Sequence, residues 1–528
     1  MNPVKHNPSL NSAKDALITK HFNHLKPHRD VILTSLSILL VITAYIWFIS
    51  FGTWTHWPFI TSYNVYYDQL ATAFQHGSLS LEIKPSSALL ALHDPYDPTD
   101  RQSNNIPYPI DFSLYKGNFY LYFGPVPALF LLMIKLLDTG TVGDHYLVFA
   151  FVSGIFIFQS LFIIKIWKRF FQNVPTWIIS LCILFCGLIS PIPLILTQAR
   201  VYEAASAGGQ FFFVAGLYFV IAALDKESVS VGQFLIAGTS WALAIGSRMT
   251  QIVPIGFVAL MVVFWVCRTY RQTKLLSKFI YPFISLCLPL ILGLAILGWY
   301  NWARFDSVFE SGFYYQLAGP FLQRYSHVLF SPIYLLPNLY NYLMMRPKLS
   351  MAFPFLQLAP GYGAIKFSFL SLPPIYHAGG ITGILFTAPF TLFAIIPMLS
   401  FLLIKKGTEH QVGSNSDNNA SLFKWLMISL TGSFLFGFAP MVLFFFVETR
   451  YFIDFMPSLV LLSILGFLQG YNFLIRRSAI RKFYVAAGII LLIVSILISI
   501  LLALSTNADH FQRFNPVLWG HLIRIFSR

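Results

Sequence analysis

The sequence predicts an all-α polytopic membrane protein with about eleven transmembrane helices, because three features of the chain agree. Hydrophobic residues make up 56% of the chain and charged residues only 10%, whereas a soluble domain has ~25% charged residues. Aromatic residues make up 17%, which is typical of lipid-facing helices and interfacial belts. Apolar runs of ~18–24 residues, long enough to cross a bilayer, lie at 31–51, 146–167, 175–196, 204–224, 232–249, 250–267, 279–299, 381–404, 423–446, 451–470 and 483–504.

These runs and the polar segments between them divide the chain. The first run has no small-residue cleavage site, so we expect an anchor rather than a removed signal peptide. The parts are a cytoplasmic basic tail (1–30), the first transmembrane helix (31–51), a first outer loop (52–145), a transmembrane bundle (146–299), a second outer loop (300–380), C-terminal transmembrane helices (381–504) and an outer tail (505–528).

The stretch "PALFLLMIKLL" in the first outer loop is apolar but shorter than the ~20 residues of a span. Cytoplasmic loops collect lysine and arginine. If the stretch does not cross, the basic residues of the short loops lie in the cytoplasm, and only Arg200, Arg248 and Arg450 lie outside. We therefore expect a juxtamembrane helix on the outer face, with Pro125 and Pro127 in its first turn. The net charge of +15 then reflects cytoplasmic loops rather than nucleic-acid binding.

Two elements are predicted in the first outer loop. Apolar side chains recur at helical spacing in "NVYYDQLATAF", which indicates an amphipathic helix that carries Asp68 and is closed by Gly77. The sequence "YKGNFYLY" predicts a short hairpin or turn at 116–118, shortly after Asp111. Asp68 and Asp111 are therefore candidate functional carboxylates.

The aspartates of "LLALHDPYDPTDR" follow one another at intervals of three. Such Asp-Pro sequences ordinarily form turns and cap helices. The alternative is a metal site that includes Asp94 and Asp97, and the sequence leaves a divalent metal open.

Charged residues also lie at predicted outer helix ends. Arg200 and Glu203 share a helix face, where an ion pair is the ordinary interpretation. Arg248 stands between two spans, and charges near spans are functional candidates. In "FFFVETRYFIDF", Arg450 and Asp454 are four apart and can pair. Several arginines that converge on one outer cavity would suit a phosphate, which guanidinium groups bind bidentately.

The second outer loop opens with "GWYNWARFDSVFESGFYYQLAG", in which Arg304 and other polar residues alternate with aromatic residues. This pattern suits the stacking of sugars and equally an interfacial belt. The chain has no Walker A, H-E-x-x-H or G-x-S-x-G motif.

This order of elements resembles the GT-C class of polytopic glycosyltransferases, which includes protein O-mannosyltransferases and aminoarabinose transferases. The stretch "YKGNFYLYFGPVPALF" is similar to that class's G-x-x-Y-x-x-x-P-P-L region, and "GSRMT" and "RYFIDFMPSLVLL" resemble segments of an uncharacterised bacterial branch. In the class, an acidic residue of the first outer loop acts as base or metal ligand. Asn64 falls near that acidic position here, which leaves Asp68 or Asp111 for the role.

The resemblance implies a glycosyltransferase of the bacterial inner membrane that moves a sugar from a polyprenyl-phosphate donor to a saccharide, lipid or protein acceptor on the extracytoplasmic face. Asp111 or Asp68 would be the base. The predicted ligand-binding residues are Arg200, Glu203, Arg248, Arg304, Arg450, Tyr120 and Tyr122. The alternatives are a transporter or flippase for lipid-linked saccharides and a non-catalytic subunit of envelope assembly.

Overall fold

The computed structural model describes residues 9–55, 57, 65–137, 140–224, 230–270, 277–363, 367, 370–403 and 414–526. Its α-helices are α1 (Ser9–Ile49), α2 (Tyr66–Gln75), α3 (Ser87–Leu90), α4 (Pro98–Ser103), α5 (Val126–Lys135), α6 (Asp144–Phe170), α7 (Thr176–Leu188), α8 (Ile192–Thr197), α9 (Val201–Leu224), α10 (Val231–Ser247), α11 (Ile252–Tyr270), α12 (Ser277–Phe305), α13 (Leu335–Met344), α14 (Ile384–Thr387), α15 (Ile395–Leu403), α16 (Ser414–Leu443), α17 (Met456–Phe473), α18 (Ser478–Thr506), α19 (Ala508–Phe514) and α20 (Pro516–Phe526). The strands are β1 (Phe112–Tyr115), β2 (Asn118–Leu121), β3 (Lys348–Leu349), β4 (Leu356–Gln357), β5 (Ala359–Pro360), β6 (His377–Ala378), β7 (Gly380–Ile381) and β8 (Phe446–Val447).

Within these described ranges, eight helices are long and apolar enough to cross a membrane. The protein is therefore a multi-pass membrane protein. The eight segments are His28–Ile49, Asp144–Phe170, Val201–Leu224, Met249–Thr269, Ile280–Phe305, Asn419–Leu443, Met456–Phe473 and Ser478–Thr506.

The count of about eleven spans is not confirmed, because three of the apolar runs form shorter or interrupted helices. The run 175–196 is divided between α7 and α8, and prolines at 191 and 193 lie at the break. The run 381–404 is divided among α14, the 3₁₀ segment Pro389–Ala394 and α15. Proline lacks the N–H that would continue a helix, which accounts for breaks at these places. The run 232–249 forms α10, of 17 residues.

The two predicted tails are helical where the structure describes them. The helix α1 begins at Ser9, so part of the 1–30 tail continues the same helix as the first span. In the 505–528 tail, Phe511 and Trp519 from α19 and α20 pack with Phe51 at the end of α1.

The predicted helix and hairpin of the first loop are both present. The buried carboxylate of Asp144 accepts hydrogen bonds from the N–H groups of Tyr66 and Tyr67, both at 3.1 Å, and so caps α2 at its start. Strands β1 and β2 pair antiparallel around Lys116 and Gly117, whose φ angles are +47° and +72°. Positive φ at both central residues is the two-residue turn that suits a twisted hairpin.

The stretch "PALFLLMIKLL" forms most of α5, a helix of ten residues. At 1.5 Å per residue it is ~15 Å long, about half of the hydrocarbon thickness, so this helix does not cross a bilayer by itself. Val126, Ala128 and Leu131 are buried, and the helix packs on α2. Met133 and Leu136 on its other face are 71% and 73% exposed, as a helix that lies against lipid requires.

The sidedness of α5 remains a prediction that cysteine labelling tests. In intact cells, Lys116→Cys and Thr141→Cys, at exposed positions on either side of α5, should both react with a membrane-impermeant maleimide. Lys168→Cys, at an exposed position near the other end of α6, should react only after permeabilisation. External labelling of only one of the first two positions would contradict the juxtamembrane placement.

Candidate functional site

Two adjoining cavities lie where the first loop, the second loop and the ends of several helices meet. The larger, here called the carboxylate cavity, has a volume of about 500 Å³ and is lined by Asp111, Tyr202, Gln316 and Arg450 among others. The smaller, the Arg248 cavity, has about 290 Å³ and more apolar walls. Tyr122, Phe313, Phe444 and Tyr451 line both cavities and form the partition between them.

Asp111 is held at the wall of the carboxylate cavity by backbone pairing between the two loops. Its N–H donates to the carbonyl of Leu317 at 3.1 Å, and Ser113 and Gln316 form an antiparallel bridge beside it. Its φ is +64°, which is uncommon for a residue other than glycine. Backbone strain of this kind clusters at functional sites, where surrounding contacts hold it in place.

The carboxylate of Asp111 has two hydrogen-bond donors. The amide Nε2 of Gln316 donates to Oδ1 at 2.6 Å, and the hydroxyl of Tyr202 donates to Oδ2. Burial raises the pKa of Asp111, whereas the Tyr202 hydroxyl, the charge of Arg450 and the Gln316 amide each lower it. Asp111 is thus a partly desolvated carboxyl group that faces a cavity, which is the environment of a tuned general base.

Arg450 contacts the ring of Tyr202, the residue whose hydroxyl donates to this carboxylate. Its guanidinium group covers the ring of Tyr202 at 4.3 Å from the centroid and forms an ion pair of 2.9 Å with Glu448. The side chain of Arg450 keeps 19% of its surface exposed and lines the cavity. A guanidinium group at a cavity wall suits an anionic oxygen.

Arg248 lines the Arg248 cavity, as Arg450 lines the carboxylate cavity. Its Nη2 donates to Oδ2 of Asp454 at 2.8 Å, while its Nε is buried without a hydrogen-bond partner within the described ranges. Gln210 donates to the carbonyl of Asp454 at 2.7 Å and so helps to fix that residue. Arg248 and Arg450 lie 5.7 and 5.4 Å from the ring centroid of Tyr451, so this ring is close to both cations.

The predicted pairing of Arg450 with Asp454 is wrong. Both residues lie in the 3₁₀ segment Thr449–Asp454. With three residues per turn, positions four apart point in different directions, whereas they would share a face on an α-helix. Asp454 therefore meets Arg248, and Arg450 meets Glu448.

A close approach of two glycines brings Tyr122 and Arg248 into one cavity. A Cβ atom added at Gly124 would lie 2.1 Å from the carbonyl oxygen of Gly246, so the backbones touch without side chains between them. The start of α5 thereby sits directly against the end of α10.

Asp68 lies elsewhere. Its carboxylate forms an ion pair of 2.6 Å with Lys135 and accepts a hydrogen bond from the N–H of Val142 at 2.9 Å. It is not among the residues described as lining either cavity. These contacts tie α2 to the end of α5 and the segment before α6.

Arg304, in the last turn of α12, and Tyr120, in strand β2 of the hairpin, lie outside the described linings of both cavities. Arg304 is 4% exposed and donates to the carbonyl of Leu121 at 2.7 Å and to Oδ1 of Asn301 at 2.9 Å. Its plane covers the ring of Tyr300 at 3.7 Å. Its donors and its face are therefore engaged by the protein itself.

Arg200 and Glu203 form a cap rather than the expected ion pair of side chains. The carboxylate of Glu203 accepts the backbone N–H of Arg200 at 3.2 Å, as the reciprocal half of a capping box does. Neither residue belongs to the described lining of the two cavities.

The side chains of Asp94 and Asp97 accept hydrogen bonds from the backbone of local turns. Asp94 accepts the N–H of Tyr96 at 2.9 Å, and Asp97 accepts the N–H of Thr99 at 2.8 Å, where it caps α4. Over the part of the chain that is described, no group of three or more His, Cys, Asp or Glu residues could hold a metal ion. Asn64, near the acidic position of the GT-C pattern, lies outside the described residues.

The sequence reasoning missed Tyr202 and Gln316 as partners of Asp111. Tyr202 lies between Arg200 and Glu203 in "TQARVYEAAS", and Gln316 ends the aromatic stretch of the second loop. Neither residue is titratable near neutral pH, and only the fold brings them to the carboxylate.

Comparisons with known proteins give one structural likeness. No family model matches the sequence, and no curated protein matches it. The chain is similar to the oligosaccharyltransferase of Archaeoglobus fulgidus in its apo form, with a TM-score of 0.45 and 10% sequence identity. The likeness covers 94% of this chain but 60% of that protein.

Proposed function

We propose that the protein is a membrane glycosyltransferase that moves a sugar from a polyprenyl-phosphate-type donor to an acceptor on the extracytoplasmic face. The observation that carries the proposal is that Asp111 and Arg450 line one cavity and both contact Tyr202, Asp111 through its carboxylate and Arg450 through its guanidinium group. Glycosyl transfer from a lipid phosphate needs both a base for the acceptor and a cation for the leaving phosphate.

In the proposed reaction, the carboxylate of Asp111 takes the proton of the acceptor hydroxyl. The acceptor oxygen forms a bond to the anomeric carbon, and the bond from that carbon to the phosphate oxygen breaks. The electron pair leaves with the lipid phosphate, whose charge Arg450 and Arg248 balance. Asp68 and Arg304 have no role in this reaction, because they lie outside the described linings of both cavities and contact other protein groups.

The alternative of a transporter receives less support from the same residues. Asp111, Arg248 and Arg450 lie in loops and 3₁₀ segments next to helix ends rather than along a path between helices. A non-catalytic subunit would have no need of a partly buried carboxylate, held by two donors, at the wall of a cavity of this size.

The test is transfer by the purified full-length protein in proteoliposomes that contain labelled polyprenyl-phosphate hexoses or pentoses. Membranes from the source cells supply the acceptor. We expect protein-dependent release of polyprenyl phosphate and incorporation of label into a saccharide, lipid or protein fraction. If no donor of the series is consumed while the protein remains monodisperse, the proposed function is wrong.

The geometry of the Arg450 fork gives a further expectation. Arg450→Lys keeps the charge but removes the planar fork, so we expect kcat/KM for the donor to fall about 10-fold, the loss of about one hydrogen bond to an anion. Arg324→Lys, at an exposed arginine of the second loop, serves as the matched control and should leave the rate unchanged. If both variants keep the rate of the unaltered protein, Arg450 does not bind the phosphate of the donor.

A further inference from the structure

Asp111 and Arg450 do more than supply a proposed base and a proposed anion site, because Tyr202 contacts both of them. The hydroxyl of Tyr202 donates to Asp111, and the ring of the same residue carries the guanidinium group of Arg450. One phenol side chain thus contacts both the carboxylate and the cation, and Asp111 is partly buried. The charge of Arg450 lowers the pKa of Asp111, because a nearby charge changes the free energy of ionising a carboxyl group.

We propose that Arg450 and Asp111, linked through Tyr202, couple the binding of an anion to the basicity of the carboxylate. The cation at Arg450 favours the ionised form of Asp111 when nothing is bound. An anion that binds Arg450 offsets this cation, so Asp111 then holds a proton more strongly. The proposal deepens the proposed function and rests on it for the chemistry of the anion, which is a phosphodiester on an apolar chain.

The coupling makes the basicity of Asp111 depend on whether the donor has already bound. Before the donor binds, Asp111 is a weaker base because the cation of Arg450 stabilises its negative charge. Once the phosphate of the donor lies against Arg450, the same carboxylate becomes a stronger base. The acceptor hydroxyl is therefore deprotonated most readily when the donor is in place.

The coupling is reciprocal, as linkage between two binding equilibria must be. If the anion strengthens the binding of a proton at Asp111, protonation of Asp111 strengthens the binding of the anion. A non-reacting anion therefore reports the coupling without any transfer of sugar.

Other charged and titratable groups face the same site and must be separated from Asp111. Tyr122, Tyr376 and Tyr451 line the cavity, and burial raises the pKa of each, so they stay neutral in the pH range of interest. His377 lies on the same wall, and the carboxylates of Glu448 and Glu203 act on Arg450. Because groups other than Asp111 also surround Arg450, the test depends on a substitution at Asp111 itself.

The experiment measures the affinity of purified full-length protein in nanodiscs for farnesyl methyl phosphate, a phosphodiester whose single charge does not change between pH 5 and pH 8. Asp111→Asn resembles the protonated acid. At pH 7 we expect this variant to bind the probe about 10-fold more tightly than the unaltered protein, within the usual range of coupling between sites. As the pH falls, the affinity of the unaltered protein should rise towards that of the variant.

Asp306→Asn is the matched control, because Asp306 is also an aspartate at positive φ (+56°) but is exposed and outside both linings. Its affinity for the probe should equal that of the unaltered protein. Tyr202→Phe keeps the ring beneath Arg450 but removes the donor that stabilises the Asp111 carboxylate. The pH at which binding tightens should therefore move upwards, a change that a merely structural role of Tyr202 would not produce.

The outcomes separate this inference from the proposed function. Identical affinity and pH dependence in Asp111→Asn and the unaltered protein would overturn the coupling, even if sugar transfer is observed. Absence of probe binding by the unaltered protein would overturn it too. Tighter probe binding by Asp111→Asn, together with no transfer activity in the unaltered protein, would support the coupling and contradict the proposed function.

Discussion

Asp111→Asn is expected to lower the rate of sugar transfer by about 10²–10⁴-fold, the usual contribution of a general base. Asparagine has nearly the same shape and tolerates the left-handed backbone that Asp111 adopts at φ +64°. Its amide oxygen can still accept the hydrogen bond from Gln316. The fold should therefore persist, and the loss of rate should reflect the loss of a group that can take a proton.

The measurement is the initial rate of polyprenyl phosphate release in proteoliposomes, beside the thermal unfolding midpoint of each variant. Asp306→Asn, the matched control, removes the same charge at an exposed position of similar backbone geometry and should keep the full rate. A near-normal rate in Asp111→Asn, with the donor still consumed, would exclude this residue as the base. Because Asp111→Asn is expected to bind the phosphodiester more tightly, a loss of rate could not be ascribed to weaker donor binding.

The features that depend on short stretches of chain could be predicted from the sequence. The membrane class follows from apolar runs, and α2 and the hairpin follow from periodicity and from the Lys116–Gly117 turn. The number of long spans could not be predicted in the same way. A run such as 175–196 has the hydropathy of a span, but prolines inside it divide the helix.

The candidate site was only partly predictable, because its residues are far apart in the chain. Asp111 meets Tyr202 across 91 positions and Gln316 across 205. Hydropathy and charge patterns indicate which end of a helix a residue occupies, but not which loop lies against it. The contact between Arg248 and Asp454 likewise joins residues that are 206 positions apart in the chain.

The partner of a buried charged residue could not be predicted from the sequence either. Asp68 was a candidate because an acidic residue of the first outer loop acts in the GT-C class, and Arg304 because it lies among aromatic residues at the start of the second outer loop. In the structure, Lys135 pairs with Asp68, and backbone carbonyls such as that of Leu121 engage Arg304. A sequence shows the charge but not the partner that satisfies it.

Lys135→Met is expected to destabilise the protein by about 3–5 kcal/mol, the usual cost of leaving one member of a buried ion pair alone. The Nζ of Lys135 lies 2.6 Å from Oδ1 of Asp68, and the two side chains are only 10% and 8% exposed. Methionine fills similar space on the apolar helix α5, so the cost should come mainly from the unpaired carboxylate. The thermal unfolding midpoint in detergent, followed by intrinsic fluorescence, measures the change.

Two further variants show whether the unpaired charge is the cause. Asp68→Asn combined with Lys135→Met removes both charges and should recover most of the lost stability, since an asparagine oxygen can still accept from Val142. Lys116→Met breaks an ion pair of the same 2.6 Å length with Asp306, but both side chains are more than half exposed, so its midpoint should change little. Recovery by the double variant with transfer intact would assign Asp68 to the fold and leave Asp111 as the base. Loss of transfer in that variant at a temperature where it remains folded would instead return Asp68 to the catalytic site.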